Sequence, residues 1–528
     1  MERKWWTLIA VCVAIFMLLL DITVVNVALP DIQRSLHSSF SDLQWVVNAY
    51  ALTLAAFLLT SGSLADLIGR KRVFIAGLFV FTTASAVCGL STTPLMLNLA
   101  RAVQGTGGAM MFATALALIA QAFHGKERGT AFGVFGAVTG AAVAVGPVLG
   151  GIITSGIGWK WIFFVNVPIG IVAVFIAFTK VADSRDPNAT GVDWAGLVTF
   201  SGALFLLVYA LVQGNEKGWG STEIVTLLIV AFALLVAFVV VEQMQSRPML
   251  DLALFRRPAF TGASIVAFTL SSSFFAMFLY LTLYIQDVLG YSPFQAGLRF
   301  LPTTLLSFIV APIAGRLSVR MPVRLLLGSG LALIGLGLLA MTTVDAASTW
   351  TVLIPGFILA GAGVGLVNPP LASTAIGVVP QERSGMASGI NSTFRQVGIA
   401  TGIAGLGAVF QHSVTQGTTA ALRSSGQAHA ILGAAHGQLG TLLESGEVTQ
   451  IAHSLSGAAR TALDHSYRVG FTEAFTTIAL IAAAIALVGS VLAFVLVRGR
   501  DFVSAGEAPA VQGAPDTQGA EPVAAAAG

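Results

Sequence analysis

Long apolar runs, separated by short breaks of glycine, proline or charge, recur from the amino terminus to about residue 497. Runs such as Ile224 to Val241 and Ile478 to Val497 are apolar on every side, unlike the one-in-two alternation of a β-barrel wall, so helices are the predicted element. Read as windows, the runs place spans near 6–29, 44–64, 73–91, 95–122, 129–153, 161–180, 192–212 and 222–241. The second half adds 260–286, 294–314, 325–343, 350–373, 386–410 and 473–497. Most approach the ~20 residues that cross a hydrocarbon core of about 30 Å. The pattern predicts an all-α polytopic membrane protein with fourteen transmembrane helices, and an even number puts both termini on one side.

Composition strengthens this. Of the 528 residues 56% are hydrophobic and only 10% charged, against roughly 25% charged in a soluble domain, so the lipid bilayer is the main solvent. The net charge of +3, with basic residues placed singly between spans, points to no nucleic-acid partner. Those residues report topology instead. Arg3, Lys4, Arg70, Lys71, Arg72, Lys126, Arg128, Lys180, Arg185, Arg247, Arg256, Arg257, Arg316, Arg320, Arg324, Arg383, Arg498 and Arg500 fall on one face, against Arg34, Lys160 and Lys217 opposite. By the positive-inside tendency both termini are cytoplasmic, in a multi-pass protein of the cell membrane. Cys12 and Cys88 lie inside spans and offer no disulfide framework. The first apolar run is not a cleaved secretory signal, since Asp21 interrupts it and many spans follow.

Four regions are expected: a six-helix bundle over 1–182, two inserted transmembrane helices over 183–257, a second six-helix bundle over 258–498, and a disordered cytoplasmic tail over 499–528. Within the second bundle, residues 411–469 form a polar, Ala/Gly-rich external loop, solvated and partly helical. Its His412, His429, His436, His453 and His465 match no metal-ligand spacing. Gly62 to Lys71 and Gly315 to Arg324 both follow the second span of a bundle, a weak internal symmetry of the kind that builds a central site in secondary transporters.

Asp21 is the one carboxylate deep in a predicted span, with Glu242, Asp287 and Glu473 at span ends. An ionisable group in hydrocarbon is expensive and reads as functional, either carrying a proton or countering a cationic substrate. Asp21 lies nine residues before Pro30 and Arg101 six after Leu95, so at ~1.5 Å per residue both sit roughly 9–14 Å below the external boundary and can pair. Gly62, Asp66, Gly69, Arg70 and Arg72 mark a tight cytoplasmic loop in which glycines permit close helix approach and Asp66 can meet a base. Gly140, Gly146, Pro147, Gly150 and Gly151 put small residues and a helix breaker mid-span, suiting a helix that seals or hinges two bundles. Asn26, Gln104, Asn391, Arg395, Phe275 and Tyr280 are the candidate lining of a substrate cavity. Gly105-Thr-Gly107-Gly108 lacks the Lys-Ser/Thr of a phosphate loop, and no hydrolase motif is present, so the chain reads as no enzyme, with neither cofactor nor metal.

These residues resemble the major facilitator superfamily, and within it the fourteen-span drug:proton antiporters of the EmrB/QacA type. Leu20-Asp21-Ile-Thr-Val-Val-Asn26-Val-Ala-Leu-Pro30 is similar to that group's first-span signature, and Gly62 to Arg72 to its cytoplasmic latch. Arg101-Ala-Val-Gln104-Gly105-Thr-Gly107-Gly108 is similar to its fourth-span motif, and Gly146-Pro147-Val-Leu-Gly150-Gly151 to its antiporter motif. The second-half loop has Val319 and Pro322 in place of the family acid and glycine, so no latch role is implied there. The resemblance implies two six-helix bundles plus two extra helices, proton coupling through Asp21 and Arg101, and export of small amphipathic drugs, dyes or antibiotics by a monomer. An uptake permease for a metabolite and a non-transporting receptor or scaffold are the rival readings.

Overall fold

The structure, a computed structural model, describes residues 2–123, 125–185, 191–245, 248–318, 320–379, 384–428, 431, 455, 457–498 and 501. Arg247, Val319, Arg383, His429, His436, His453, and the tail apart from Asp501, lie outside the described residues.

A backbone in hydrocarbon must satisfy its own N–H and C=O groups, which long apolar segments do by coiling into helices. Thirteen described helices are long and apolar enough to span, and a pair bent by 41° makes the fourteenth. They are α1 (Arg3–Leu36), α2 (Phe40–Ile68), α3 (Arg70–Leu90), α4 (Pro94–Ala122), α5 (Thr130–Ile157), α6 (Trp161–Lys180), α7 (Trp194–Lys217) and α8 (Thr222–Met244). Then follow α9 (Pro258–Val288), the bent α10 (Pro293–Arg299 with Leu301–Leu317), α11 (Val323–Thr343), α12 (Trp350–Ala375), α13 (Met386–Ser424) and α14 (Gly457–Leu496). Polar residues set the starts. Ser39 and Asp42 form a reciprocal capping box ahead of α2, and Ser292 and Gln295 another at α10. Thr93 caps α4, whose first residue is Pro94.

Helices α1 to α6 pack into one bundle and α9 to α14 into a second, while α7 pairs with α8 and also touches α2 and α13. Phe175, Phe178 and Phe232 point outward into the apolar surroundings. The start of α1 lies beside the end of α6, where Arg3 Nε donates to the Lys180 carbonyl at 2.8 Å. Asp501, past α14, accepts the Ala259 N–H at 3.1 Å. Both chain ends therefore lie on one side, here the terminal side.

The expected loop over 411–469 needs correction at both ends, because α13 runs on to Ser424 and α14 begins at Gly457. The small residues that read as loop are helix contacts: a Cβ on Gly417 would come within 2.9 Å of the Gly470 Cα. At ~1.5 Å per residue such helices outreach the ~30 Å hydrocarbon core.

The hydrogen bonds that join the bundles gather on the far side. Gln286 Nε2 on α9 donates to the Val27 carbonyl on α1 at 2.7 Å, and the Phe294 N–H on α10 to Ser155 Oγ on α5 at 3.0 Å. Gln44 Nε2 on α2 reaches the Ile403 carbonyl on α13 at 3.0 Å. On the terminal side Gly62, Gly133 and Gly136 face open space.

Candidate functional site

Five helices build the surroundings of Asp21. Helix α1 supplies the acid, and Arg101 on α4 meets it with Nη1 at 2.5 Å from Oδ2, both side chains being almost wholly buried at 0% and 1% exposure. A buried charge survives only when paired and hydrogen-bonded. Gln104, one turn along α4, accepts from Arg101 Nη1 at 2.8 Å and donates to Asp21 Oδ1 at 2.9 Å. Asn166 on α6 donates to the same Oδ1 at 3.4 Å and to Ser85 Oγ on α3 at 3.1 Å. Ser85 passes its own hydrogen to the Phe163 carbonyl at 2.9 Å. Arg101 Nε is held by the Val46 carbonyl of α2 at 3.0 Å, and its guanidinium lies 4.3 Å from the centre of the Tyr50 ring. The carboxyl group is thus paired with a guanidinium and ringed by donors that fix its position.

The small residues of α5 pack directly against α1. A Cβ on Gly150 would sit 3.0 Å from the Val24 Cα, and one on Gly146 would overlap Thr23, two and three residues from Asp21. On the other side of α5, a Cβ on Gly151 would meet the Pro293 carbonyl oxygen at 2.5 Å and the Phe294 Cα at 2.8 Å. Gly297 packs as closely on Pro147 and Val148. Gly140, farther down, is in ordinary contact with Phe308 of α10. The motif packs with α1 against one face and the second bundle against the other.

The expected loop at Gly62 to Arg72 is compressed to one residue between α2 and α3: Gly69, at φ 118°, a conformation L side chains rarely adopt. Asp66 pairs with Arg70 at 2.9 Å and Arg72 with Asp183 at 3.4 Å, while the Arg70 N–H bonds the Ser184 carbonyl at 2.7 Å. The turn is docked on the segment after α6, within its own bundle. Close helix approach at Gly62 is not found, since nothing lies within 4 Å of where its Cβ would stand.

The six cavity candidates divide. Arg395 on α13 and Phe275, in a π-helical turn of α9, adjoin across 5.8 Å, both half-buried. Gln104 belongs to the Asp21 network, and Asn26 is tied to the Ile22 carbonyl of its own helix at 2.9 Å. Asn391 donates to the Ala263 carbonyl at 3.3 Å. Tyr280 needs correction as a lining residue, being fully buried with its hydroxyl on the Ile403 carbonyl at 2.7 Å and its ring against Phe410. A polar group in a dry interior takes the nearest backbone partner. Asn166, Ser85 and Tyr50 escaped the sequence reading; Asn166 left a signal, an amide inside the apolar run 161–180 two residues before Pro168.

Residues 11–403 match the family model described as Major Facilitator Superfamily. The chain is 39% identical over 404 residues to the multidrug resistance protein Stp of Mycobacterium tuberculosis, covering 76% of this chain and 75% of that one. It is 33% identical over 413 residues to the tetracenomycin C resistance and export protein of Streptomyces glaucescens, covering 78% and 77%. Among solved structures, a bacterial homologue of the human lysosomal transporter Spinster superposes with a TM-score of 0.62 at 17% identity, covering 94% of this chain and 98% of that one.

Proposed function

Because the chain belongs to the Major Facilitator Superfamily, we propose that this transporter exports small amphipathic drugs, dyes or antibiotics across the cytoplasmic membrane in exchange for protons. The observation that carries this reading is the buried Asp21–Arg101 pair, 2.5 Å apart. It is a carboxylate held in the membrane interior by a partner it can lose.

The terminal side is cytoplasmic, since the Lys and Arg residues of the short connections gather there. With the bundles hydrogen-bonded on the far side, the present state is, on this reading, the one that receives substrate from the cytoplasm. In this state Asp21 has given up its proton and binds Arg101. Substrate enters from the cytoplasm and the bundles rock to face outward. A proton from outside then neutralises Oδ2, and the ion pair is lost while Gln104 and Asn166 still hold Oδ1. Movement of α1 at Thr23 and Val24 presses on Gly146 and Gly150 of α5 and through them on Pro293 to Gly297. Proton state and the external seal are thereby linked through two packed contacts. Names of the compared relatives, for resistance and for export, support the direction and the substrate class.

An efflux panel tests this. Cells carrying the chain accumulate less dye than controls, a protonophore abolishes the difference, and Asp21→Asn behaves like the protonophore. Uphill substrate movement by Asp21→Asn against a proton gradient in proteoliposomes would overturn the assignment, and dye uptake driven by the gradient would reverse the direction.

A further inference from the structure

The inserted helices carry a pair of acids that this cycle does not use. Asp193 caps α7, its Oδ1 accepting the Gly196 N–H at 2.8 Å and Gln245 Nε2 at 3.4 Å. Glu242, in the last turn of α8, accepts the Leu250 N–H on Oε2 at 3.1 Å. The two residues are 8% and 3% exposed. Their other oxygens, Asp193 Oδ2 and Glu242 Oε1, are buried and meet no donor. Both face the same point: a Cβ on Gly196 would lie 2.6 Å from the first and 2.7 Å from the second.

Around them lie Phe200, Phe238, Leu250 and Leu254, a dry apolar cluster. Among the described residues of the neighbouring elements, three charged groups are engaged elsewhere. Asp66 of α2 pairs with Arg70, Arg257 donates to the Val378 carbonyl, and Asp251 accepts the Ala253 N–H. Asp193 is the charged group that acts on Glu242. Two carboxylates aiming lone pairs at one spot in such surroundings repel, and each orphan oxygen costs its desolvation. A single proton removes both penalties by making one oxygen a donor and the other its acceptor.

We propose that Asp193 and Glu242 form a second proton-binding site, separate from Asp21, in which one proton bridges the facing oxygens and fastens the linker 249–257 to the inserted helices. The linker is the lead-in to α9 and touches α2, where Thr60 Oγ1 reaches Met249 Sδ at 3.4 Å. Loss of the proton sets like charges against each other, pushes Glu242 away from Asp193 and frees the linker at the head of the second bundle. A side chain at position 196 would crowd both carboxyl oxygens and force one of them to shift.

Infrared difference spectroscopy of the full-length protein in detergent at neutral pH, wild type minus Glu242→Gln, tests this directly. The expected result is a protonated-carboxyl C=O band, lost equally in Asp193→Asn and unchanged when the comparison is repeated in an Asp21→Asn background. The folded state holds a proton that the unfolded chain releases, so the stability it contributes is present at lower pH and lost as pH rises through the pair's titration. Wild-type unfolding temperature therefore falls as pH is raised from neutral, and both amide variants, whose N–H replaces the proton, lose that dependence. Absence of the band in wild type overturns the proposal. So does a rise in wild-type unfolding temperature with sodium or potassium at fixed pH, which would make the site a metal-cation site instead.

Discussion

Arg101 Nη1 stands 2.5 Å from Asp21 Oδ2 although 80 residues separate them in the chain, and neither side chain is measurably open to the exterior. Burial makes this contact an all-or-nothing arrangement: a lone charge left behind there is far more costly than the pair.

Arg101→Ala leaves Asp21 uncompensated and is expected to lower stability by about 3–5 kcal/mol. The double variant Asp21→Asn with Arg101→Gln removes both charges and costs less than Arg101→Ala alone. Thermal unfolding in detergent checks the order; equal losses would mean the pair is not coupled.

Asn166→Leu removes a donor to Asp21 Oδ1 without touching Arg101. With one donor fewer the carboxyl group is held less firmly against Arg101, so gradient-driven efflux slows while the substrate concentration for half-maximal rate holds, and Asn166→Ser, which keeps a donor, restores part of the rate. An equal loss in both variants would reduce Asn166 to a packing role.

Gly151→Val places bulk against the Pro293 carbonyl and prevents the external seal. Because Cys12 and Cys88 are buried, a cysteine introduced at Val27 reports this. It should react faster with an impermeant external thiol reagent in the Gly151→Val background, with transport lost and the protein still present in the membrane.

Arg72→Gln breaks the exposed pair with Asp183. Such a pair is worth at most about 1 kcal/mol, so unfolding temperature changes little. Transport is expected to slow several-fold, because the turn at Gly69 is fixed to the segment after α6 by this contact and by the Arg70 N–H. Unchanged rates would leave the turn a passive connection.

Arg395→Gln removes the charge beside Phe275 and is expected to change which compounds are exported, while Asp21→Asn abolishes all of them. Efflux of a panel of anionic, neutral and cationic dyes separates the two. An identical loss across the panel would place Arg395 in the coupling machinery.

The apolar spans, the side shared by the chain ends and the pairing of Asp21 with Arg101 were all readable along the chain. They follow from one-dimensional properties, since hydrocarbon accepts only long apolar helices and a charge inside one stands out. The helical ends within 411–469 were not readable, because Gly417 and Gly470 look like loop residues until they are seen against each other. In the sequence Glu242 reads as a span-end acid. It is the fold of the linker over it, with Leu250 on its carboxylate, that buries it.

Sequence alone therefore determined the class of the protein and the identity of its costly charge. Tertiary structure decided who keeps that charge company: Val46 and Tyr50 from α2, Ser85 from α3, Asn166 from α6. It also decided that Tyr280 is a strut rather than a wall of the cavity. Hydrophobicity is a property of a segment and can be summed along the chain. A hydrogen bond belongs to two groups at about 3 Å, and only the packing of whole helices brings them there.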